Sequence, residues 1–203
     1  MRAIHMVSGT LVVLGALAGC RDQRAASSAE PSPAAAAAVG DASAKAREAE
    51  AAAREAARLA ALWSYHDVAA GTGRQLTASI YSVDDVDTGG RNPARVRLVF
   101  RDHPSWGRSS YLVLQGGDFN CYGGCTASVT ADDGQPARMA GRRPKTDDAI
   151  AMFINDARAL WRMTSGAARL AIEFPVAAGG ARSAVFEVSG LDRSKLPGWD
   201  PAR

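Results

Sequence analysis

Two cysteines lie close together in the second half of the chain and could form a disulfide. Cys121 and Cys125 flank Tyr122, Gly123 and Gly124, and the glycines allow the backbone conformations that a tight turn needs. A redox pair would more often have the spacing Cys-x-x-Cys at a helix start. A zinc site would need a second pair of ligands, which the sequence lacks. The pattern therefore predicts a structural disulfide, which should stabilise the fold by about 2 kcal/mol because its loop is short.

The third cysteine, Cys20, follows a sequence with the layout of a secretory signal peptide. Arg2 gives a short positive region, residues 6–18 form an apolar run, and small residues precede the cysteine. The run is too short for a membrane-spanning helix, which needs about 20 apolar residues. The sequence from Leu17 to Cys20, Leu-Ala-Gly-Cys, resembles the bacterial lipobox. The resemblance implies removal of residues 1–19 and acylation of Cys20 on its sulfur and amino group.

Lipidation of Cys20 would anchor the chain to a membrane. One acyl chain binds only marginally, whereas two or three give a stable anchor. Arg21 follows the cysteine, instead of the aspartate that resembles an inner-membrane retention signal, so we expect the periplasmic face of the outer membrane. The oxidising periplasm also favours the predicted Cys121–Cys125 disulfide.

The net charge of the chain is only slightly positive. It has 24 lysines and arginines against 21 aspartates and glutamates, and the two signs are interspersed, unlike the basic surface of a nucleic-acid-binding protein. We expect no nucleic-acid partner. A periplasmic protein or an anionic envelope polymer is compatible with this charge.

Three arginines are predicted to share one surface. Arg95, Arg97 and Arg101 occupy alternating positions of one segment, and the apolar Val96, Leu98 and Phe100 occupy the positions between them. Alternate side chains of a strand lie on the same face, so these arginines form the candidate binding face for phosphates or an acidic partner. An ordinary solvated sheet face is the simpler alternative. A second basic group at 142–145 lacks regular spacing.

The sequence offers no recognisable catalytic set. Beyond the predicted signal peptide the chain has two histidines, His66 and His103, and no Gly-x-Ser-x-Gly elbow. His103 is next to Pro104 and near Trp106, which favours a role in a turn. We therefore predict a protein that is not an enzyme.

The acidic residues are better explained by loops than by a metal. Asp84, Asp85 and Asp87 lack the spacing of a calcium loop, which needs six to eight oxygen ligands. Asp132 and Asp133 precede Gly134 and predict a turn. We expect no metal and no cofactor.

The residues between Cys20 and the first strand predict a spacer. Residues 20–40 are rich in serine, proline and alanine and predict a disordered tether. Residues 41–62 are almost wholly strong helix formers and predict a helical stalk, with Glu50 and Arg54 at the favourable spacing of four. A coiled coil would need an apolar heptad seam, which is absent here.

Residues 63–191 predict a mainly β domain. Apolar segments separated by turn residues occur at 74–81, 94–101, 111–115, 127–131, 138–141, 149–154, 170–174 and 184–188. One short helix is expected to begin after Asn155 or Asp156 and to end at Met163. About eight strands at this spacing predict an antiparallel β-sandwich or partly open barrel, followed by a flexible tail at 192–203.

The domain from Trp63 to Leu191 resembles a group of uncharacterised bacterial exported domains. The shared motifs are Trp63-Ser64-Tyr65, Arg101-Asp102-His103-Pro104, Gly117-Asp118-Phe119-Asn120-Cys121 with Cys125, Asp132-Asp133-Gly134, Phe153-Ile154-Asn155 and Val188-Ser189-Gly190-Leu191. Residues 83–93 depart from the pattern, with an acidic, glycine-rich loop in place of a Pro-Tyr element. The cysteine hairpin and the closing Gly-Leu are more distantly similar to invasion-associated locus B proteins and to accessory lipoproteins of type VI secretion. The resemblance implies no catalytic residues.

These patterns together predict an outer-membrane lipoprotein with a non-enzymatic binding or assembly role. The alternatives are an accessory or inhibitor protein of a secretion system and an envelope hydrolase that would use His66 or His103.

Overall fold

The computed structural model describes residues 33–144 and 150–200. The predicted signal peptide, the lipobox with Cys20 and the first part of the predicted tether lie outside the described residues. The chain divides into Met1–Ser43 and a compact unit, Ala44–Arg203, which contains every strand. Among the described residues, no helix combines the length and apolar character that crossing a membrane would need.

The first element is a helix, α1, at Pro33–Ala61. It begins ahead of the predicted start at residue 41, so residues 33–40 of the predicted tether are helical. The reason is local, because proline is favoured in the first turn of a helix and alanine is the strongest helix former. Glu50 and Arg54 form the expected exposed ion pair, with 3.2 Å between Oε1 and Nη1.

The strands form one antiparallel sheet, which confirms the mainly β prediction. Within the described ranges, nine strands pair in the order β1-β2-β3-β4-β7-β6-β5-β8-β9, and the sheet does not close. A short helix, α2 (Ala157–Met163), follows β7, and its N-cap Asp156 accepts a hydrogen bond from the Ala159 N–H. The strands are β1 Trp63–Ala70, β2 Gly73–Val86, β3 Ala94–His103, β4 Gly107–Val113, β5 Cys125–Ala131, β6 Ala137–Arg142, β7 Ala151–Ile154, β8 Arg169–Pro175 and β9 Ala181–Glu187.

Strand β1 was not predicted from the sequence. It pairs with β2 along its whole length, from Trp63 opposite Ile80 to Ala70 opposite Gly73. Most of its side chains are exposed, because β1 is an edge strand, and the sequence therefore has little apolar alternation there. Its tight turn is made by Gly71, whose φ of +57° suits glycine.

Phe100 lies at the centre of an aromatic core on the inner face of the sheet. Its ring centroid is 6.3 Å from that of Trp63, 5.1 Å from that of Trp161 and 5.4 Å from that of Trp199. These rings come from β1, β3, α2 and the C-terminal segment. The core therefore connects elements that are far apart in the sequence.

The predicted flexible tail is wrong for residues 192–200. This segment forms two 3₁₀ turns, Arg193–Lys195 and Pro197–Trp199, and buries Leu196 and Trp199 to 1% and 3% exposure. The Trp161 Nε1–H donates to Asp200 at 2.9 Å. Because Leu196 and Trp199 are large and apolar, burying them against the core stabilises the segment. Residues 201–203 lie outside the described residues.

The C-terminal end of α1 packs against the β domain. Arg58 donates to Glu187 at the end of β9, at 3.0 Å. A Cβ at Gly190 would overlap the backbone of Leu59, so glycine permits the close approach of the helix. The helix is therefore held at the end where its large apolar residues occur.

Candidate binding face

The strand register brings two of the three predicted arginines together on the outer face of the sheet. Arg97 pairs with Tyr81 on β2, and Arg101 pairs with Thr77. Arg95 also alternates with them, but it lies beyond a register shift in β2 and is opposite Asp85. Arg95 is therefore close to a carboxylate, whereas Arg97 and Arg101 face uncharged partners.

Aromatic rings surround Arg101. Its guanidinium carbon is 5.3 Å from the ring centroid of Trp106, 5.4 Å from that of Tyr111 and 5.9 Å from that of Phe153. Such distances are typical of cation–π contacts. Its Nε–H also donates to the Ser109 hydroxyl at 3.1 Å, so the side chain is held in place.

A second arginine extends this cluster across β7. The Arg142 guanidinium lies 5.2 Å from the Phe153 ring centroid, and Phe153 lies 4.9 Å from Tyr111 between ring centroids. We call the surface formed by these side chains the arginine–aromatic face. Its members are Arg97, Arg101, Trp106, Tyr111, Arg142 and Phe153.

The sequence did not indicate the aromatic part of this face. Tyr111 is on β4 and Phe153 on β7, and they are opposite each other only because β7 pairs with β4. The same strand pairs with β6, which places Arg142 opposite Phe153. Arg142 of the second basic group therefore joins the first group through β7, which lies between β4 and β6. Lys145 lies outside the described residues.

The arginine–aromatic face has an unbalanced positive charge. Within the described residues, Arg97, Arg101 and Arg142 take part in no ion pair. No carboxylate occurs at the outward positions of the four strands around Arg97. These positions belong to β1, to β2 before its register shift, to residues 97–101 of β3 and to β4. They are Ser64, His66, Val68, Ala70, Gln75, Thr77, Ser79, Tyr81, Arg97, Val99, Arg101, Ser109, Tyr111 and Val113. A surface of this kind attracts anionic groups.

The predicted disulfide is present next to this face. The sulfur atoms of Cys121 and Cys125 are 1.96 Å apart, and Gly123 and Gly124 adopt φ angles of +77° and +108°. The turn closes with a hydrogen bond from the Gly124 N–H to the Cys121 carbonyl at 3.3 Å. An open cleft of about 760 Å³ separates this hairpin from Arg142.

The other arginine beside that cleft is already paired. Arg143 forms an ion pair with Asp118 and lies 4.9 Å from the ring centroid of Tyr122. The Tyr122 hydroxyl donates to the same carboxylate at 3.1 Å. Arg143 therefore stabilises the disulfide loop, and its charge is balanced there.

The histidines are not joined in a catalytic arrangement. His103 Nδ1 accepts from the backbone N–H groups of Ser105 and Trp106, at 3.1 and 3.3 Å, and its ring stacks on Trp106 at 3.9 Å. His103 thus supports the turn between β3 and β4, as its sequence context indicates. His66 is exposed on β1. Among the described residues, neither ring is hydrogen-bonded to a serine hydroxyl or a carboxylate.

Two of the aspartates named in the sequence analysis, Asp87 and Asp132, accept hydrogen bonds from the backbone. Asp87 accepts from the Gly89 N–H at 3.1 Å. Asp132 adopts a φ of +47° and accepts from the N–H groups of Ala168 and Arg169, at 3.0 and 2.8 Å. Asp132 therefore lies in the predicted turn between β5 and β6 and also connects this turn to the start of β8. The described residues contain no group of three or more histidines, cysteines or acids that could hold a metal.

The chain matches no family model, no curated protein and no solved structure. The resemblance to exported domains and the lipoprotein assignment therefore stay predictions, and the functional argument depends on the geometry of the arginine–aromatic face.

Proposed function

We propose that this protein is a lipid-anchored outer-membrane lipoprotein facing the periplasm, with a non-enzymatic binding or assembly role. Its arginine–aromatic face binds an acidic surface of a partner protein. The observation that carries the proposal is Arg101, which lies within 5.9 Å of three aromatic ring centroids on a face whose arginines form no ion pair within the described part of the chain.

The composition of this face is that of a protein-binding surface. Tryptophan, tyrosine and arginine dominate the binding energy of protein interfaces, and lysine, glutamate and aspartate are depleted at interface cores. Trp106 is 70% exposed, so a large apolar ring is available to a partner. Because the other members come from paired strands, they lose little conformational freedom on binding.

The surroundings of the face favour a protein over a hydrated anionic polymer. Exposed apolar side chains continue the surface, namely Val68, Tyr81 and Val83. Burial of such side chains stabilises a complex only when the partner also excludes water. An acidic protein surface with an apolar centre provides both the charge and the contact area.

The membrane anchor follows from the signal-peptide layout and from Cys20. The apolar run at 6–18 overlaps the start of Leu17-Ala18-Gly19-Cys20, and only Gly19 lies between the run and Cys20, as expected for a signal peptide cleaved before that cysteine. Helix α1 lies between Cys20 and β1 in the chain. Lipid on Cys20 would hold the β domain at a membrane while leaving the face open to periplasmic partners.

The test is crosslinking in cells followed by identification of the recovered partners. We expect Arg101→Gln, and more strongly Arg101→Gln with Arg142→Gln, to reduce partner recovery by about ten-fold, because charge-assisted contacts are lost. Arg158→Gln is the matched control, since it removes the same charge from an exposed position on α2.

Two outcomes would contradict the proposal. If the Arg101 variants and the Arg158 control recovered equal amounts of crosslinked partner, the arginine–aromatic face would not be the binding surface. If the Cys20→Ser variant still incorporated the acyl label, the proposed anchor would be wrong, because lipidation must depend on that cysteine.

A further inference from the structure

The arginine–aromatic face contains a small pocket beside Arg97. The pocket has a volume of about 230 Å³. Its lining includes side chains from four adjacent strands, β1 to β4. The residues that carry the argument are His66, Thr77, Ser79, Arg97, Val99 and Tyr111.

The register explains why a depression forms on this side of the sheet. Ser79 and Val99 are directly opposite each other on β2 and β3, and both project outward. Yet they are only 5% and 1% exposed, because longer side chains around them cover the sheet surface. Ser79 and Val99 therefore form the floor of the pocket, and Arg97 and Tyr111 form part of its wall.

The polar groups of the pocket suit an anion. Arginine, serine, threonine, tyrosine, glutamine and histidine side chains can all donate hydrogen bonds, and none of the lining residues carries a carboxylate. The Nε of Arg97 is buried and has no hydrogen-bond partner among the described residues. A buried donor normally has an acceptor, so the described residues leave the hydrogen-bonding capacity of the Arg97 guanidinium only partly used.

We propose that this pocket holds a carboxylate of the acidic partner, an inference that rests on the proposed function. The planar guanidinium of arginine matches two carboxylate oxygens. The volume is below the range of about 300–1,000 Å³ for small-molecule sites, and it suits the end of one aspartate or glutamate side chain. Neighbouring acidic residues of the partner meet Arg101 and Arg142.

A labelled hexaglutamate peptide tests the inference on the purified chain, with fluorescence anisotropy as the measurement. We expect Arg97→Gln to weaken binding by about ten-fold and Arg97→Lys by less, because lysine keeps the charge but loses the paired donors. Arg95→Gln is the charge-matched control on the same strand, and we expect it to weaken binding less than about two-fold, since its neighbour is Asp85.

Nuclear magnetic resonance gives a second measurement that does not depend on the variants. The Arg97 Nε–H signal of the native chain should shift on addition of hexaglutamate and not on addition of hexaglutamine. Acetate should displace the peptide at lower concentration than inorganic phosphate at matched ionic strength.

Three results would overturn the inference. They are equal weakening by Arg95→Gln and Arg97→Gln, an unchanged Arg97 Nε–H signal, and stronger displacement by phosphate than by acetate. Failure of the proposed function can be distinguished from failure of this inference. In the first case Arg101→Gln would not change partner recovery in cells, although the peptide would still bind at Arg97.

Discussion

Arginine side chains in this protein have two roles that their surroundings separate. Arg143 and Arg193 are paired with Asp118 and Asp200, so they stabilise loops and their charge is balanced. Arg101 is held by aromatic rings and a serine hydroxyl instead, and no carboxylate among the described residues balances its charge. Sequence position alone does not distinguish these roles, because each depends on a neighbour from another element.

Tyr65 gives a prediction at the residue scale. Burial raises the pKa of its hydroxyl above the usual value of 10.0, and the oxygen accepts a hydrogen bond from the Asp192 N–H at 2.7 Å. A raised pKa in the folded state means that stability is complete below pH 10 and falls as pH rises toward the folded-state pKa. We expect the melting temperature of the native chain to fall above pH 10, and Tyr65→Phe to show a smaller fall.

Tyr81→Phe is the control for that experiment, since Tyr81 is exposed. The same alkaline dependence in Tyr65→Phe and in the native chain would show that another group is responsible.

At the scale of elements, two contacts between elements hold the parts of the domain together. Strand β7 pairs with both β4 and β6 and so joins the two halves of the sheet. The end of α1 contacts the segment after β9 through Leu59 and Gly190. The β4–β7 pairing and the Leu59–Gly190 contact join residues far apart in sequence, and each depends on close backbone approach.

Gly190→Ala tests the second connection. The added Cβ would overlap the backbone of Leu59, which cannot move as a flexible side chain could. We expect a loss of about 1–3 kcal/mol in the free energy of unfolding, the usual cost of overpacking, measured by urea denaturation. Gly116→Ala is the matched control, because its Cβ would meet only the Gly90 Cα at an ordinary 3.5 Å. Equal stability of the two variants would contradict the packing argument.

At the scale of the whole molecule, the C-terminal segment completes the core of the β domain. Trp199 packs against Phe100 from β3 and lies 5.0 Å from Trp161 of α2 between ring centroids. Arg193 covers the outer side of Trp161, at 4.2 Å from the ring centroid. The domain therefore extends to residue 200, not to Leu191.

Trp199→Ala measures this contribution. We expect the free energy of unfolding to fall by about 3–5 kcal/mol, because a buried indole is replaced by a cavity. Trp106→Ala removes the same side chain from an exposed position and should change stability by less than about 1 kcal/mol. If both variants lost the same stability in thermal or urea unfolding, the segment would not be part of the core.

The sequence by itself determined the local features of this protein. Alternating apolar residues predicted most strands, alanine predicted the helix before them, and the spacing of Cys121 and Cys125 predicted their disulfide. These predictions succeeded because each depends on neighbours within a few residues. The sequence does not predict the start of α1 at Pro33, because an alanine-rich segment with serine and proline nearby is compatible with both a tether and a helix. It does not predict strand β1, because an exposed edge strand needs little apolar alternation.

Only the tertiary structure decided which side chains meet. Arg97 and Arg101 could be assigned to one face from their even spacing, but Tyr111, Phe153 and Arg142 join them through strand order. The same holds for Trp199 and the core. Strand order depends on how the whole chain buries its apolar area, and that is a property of the complete domain rather than of any single segment.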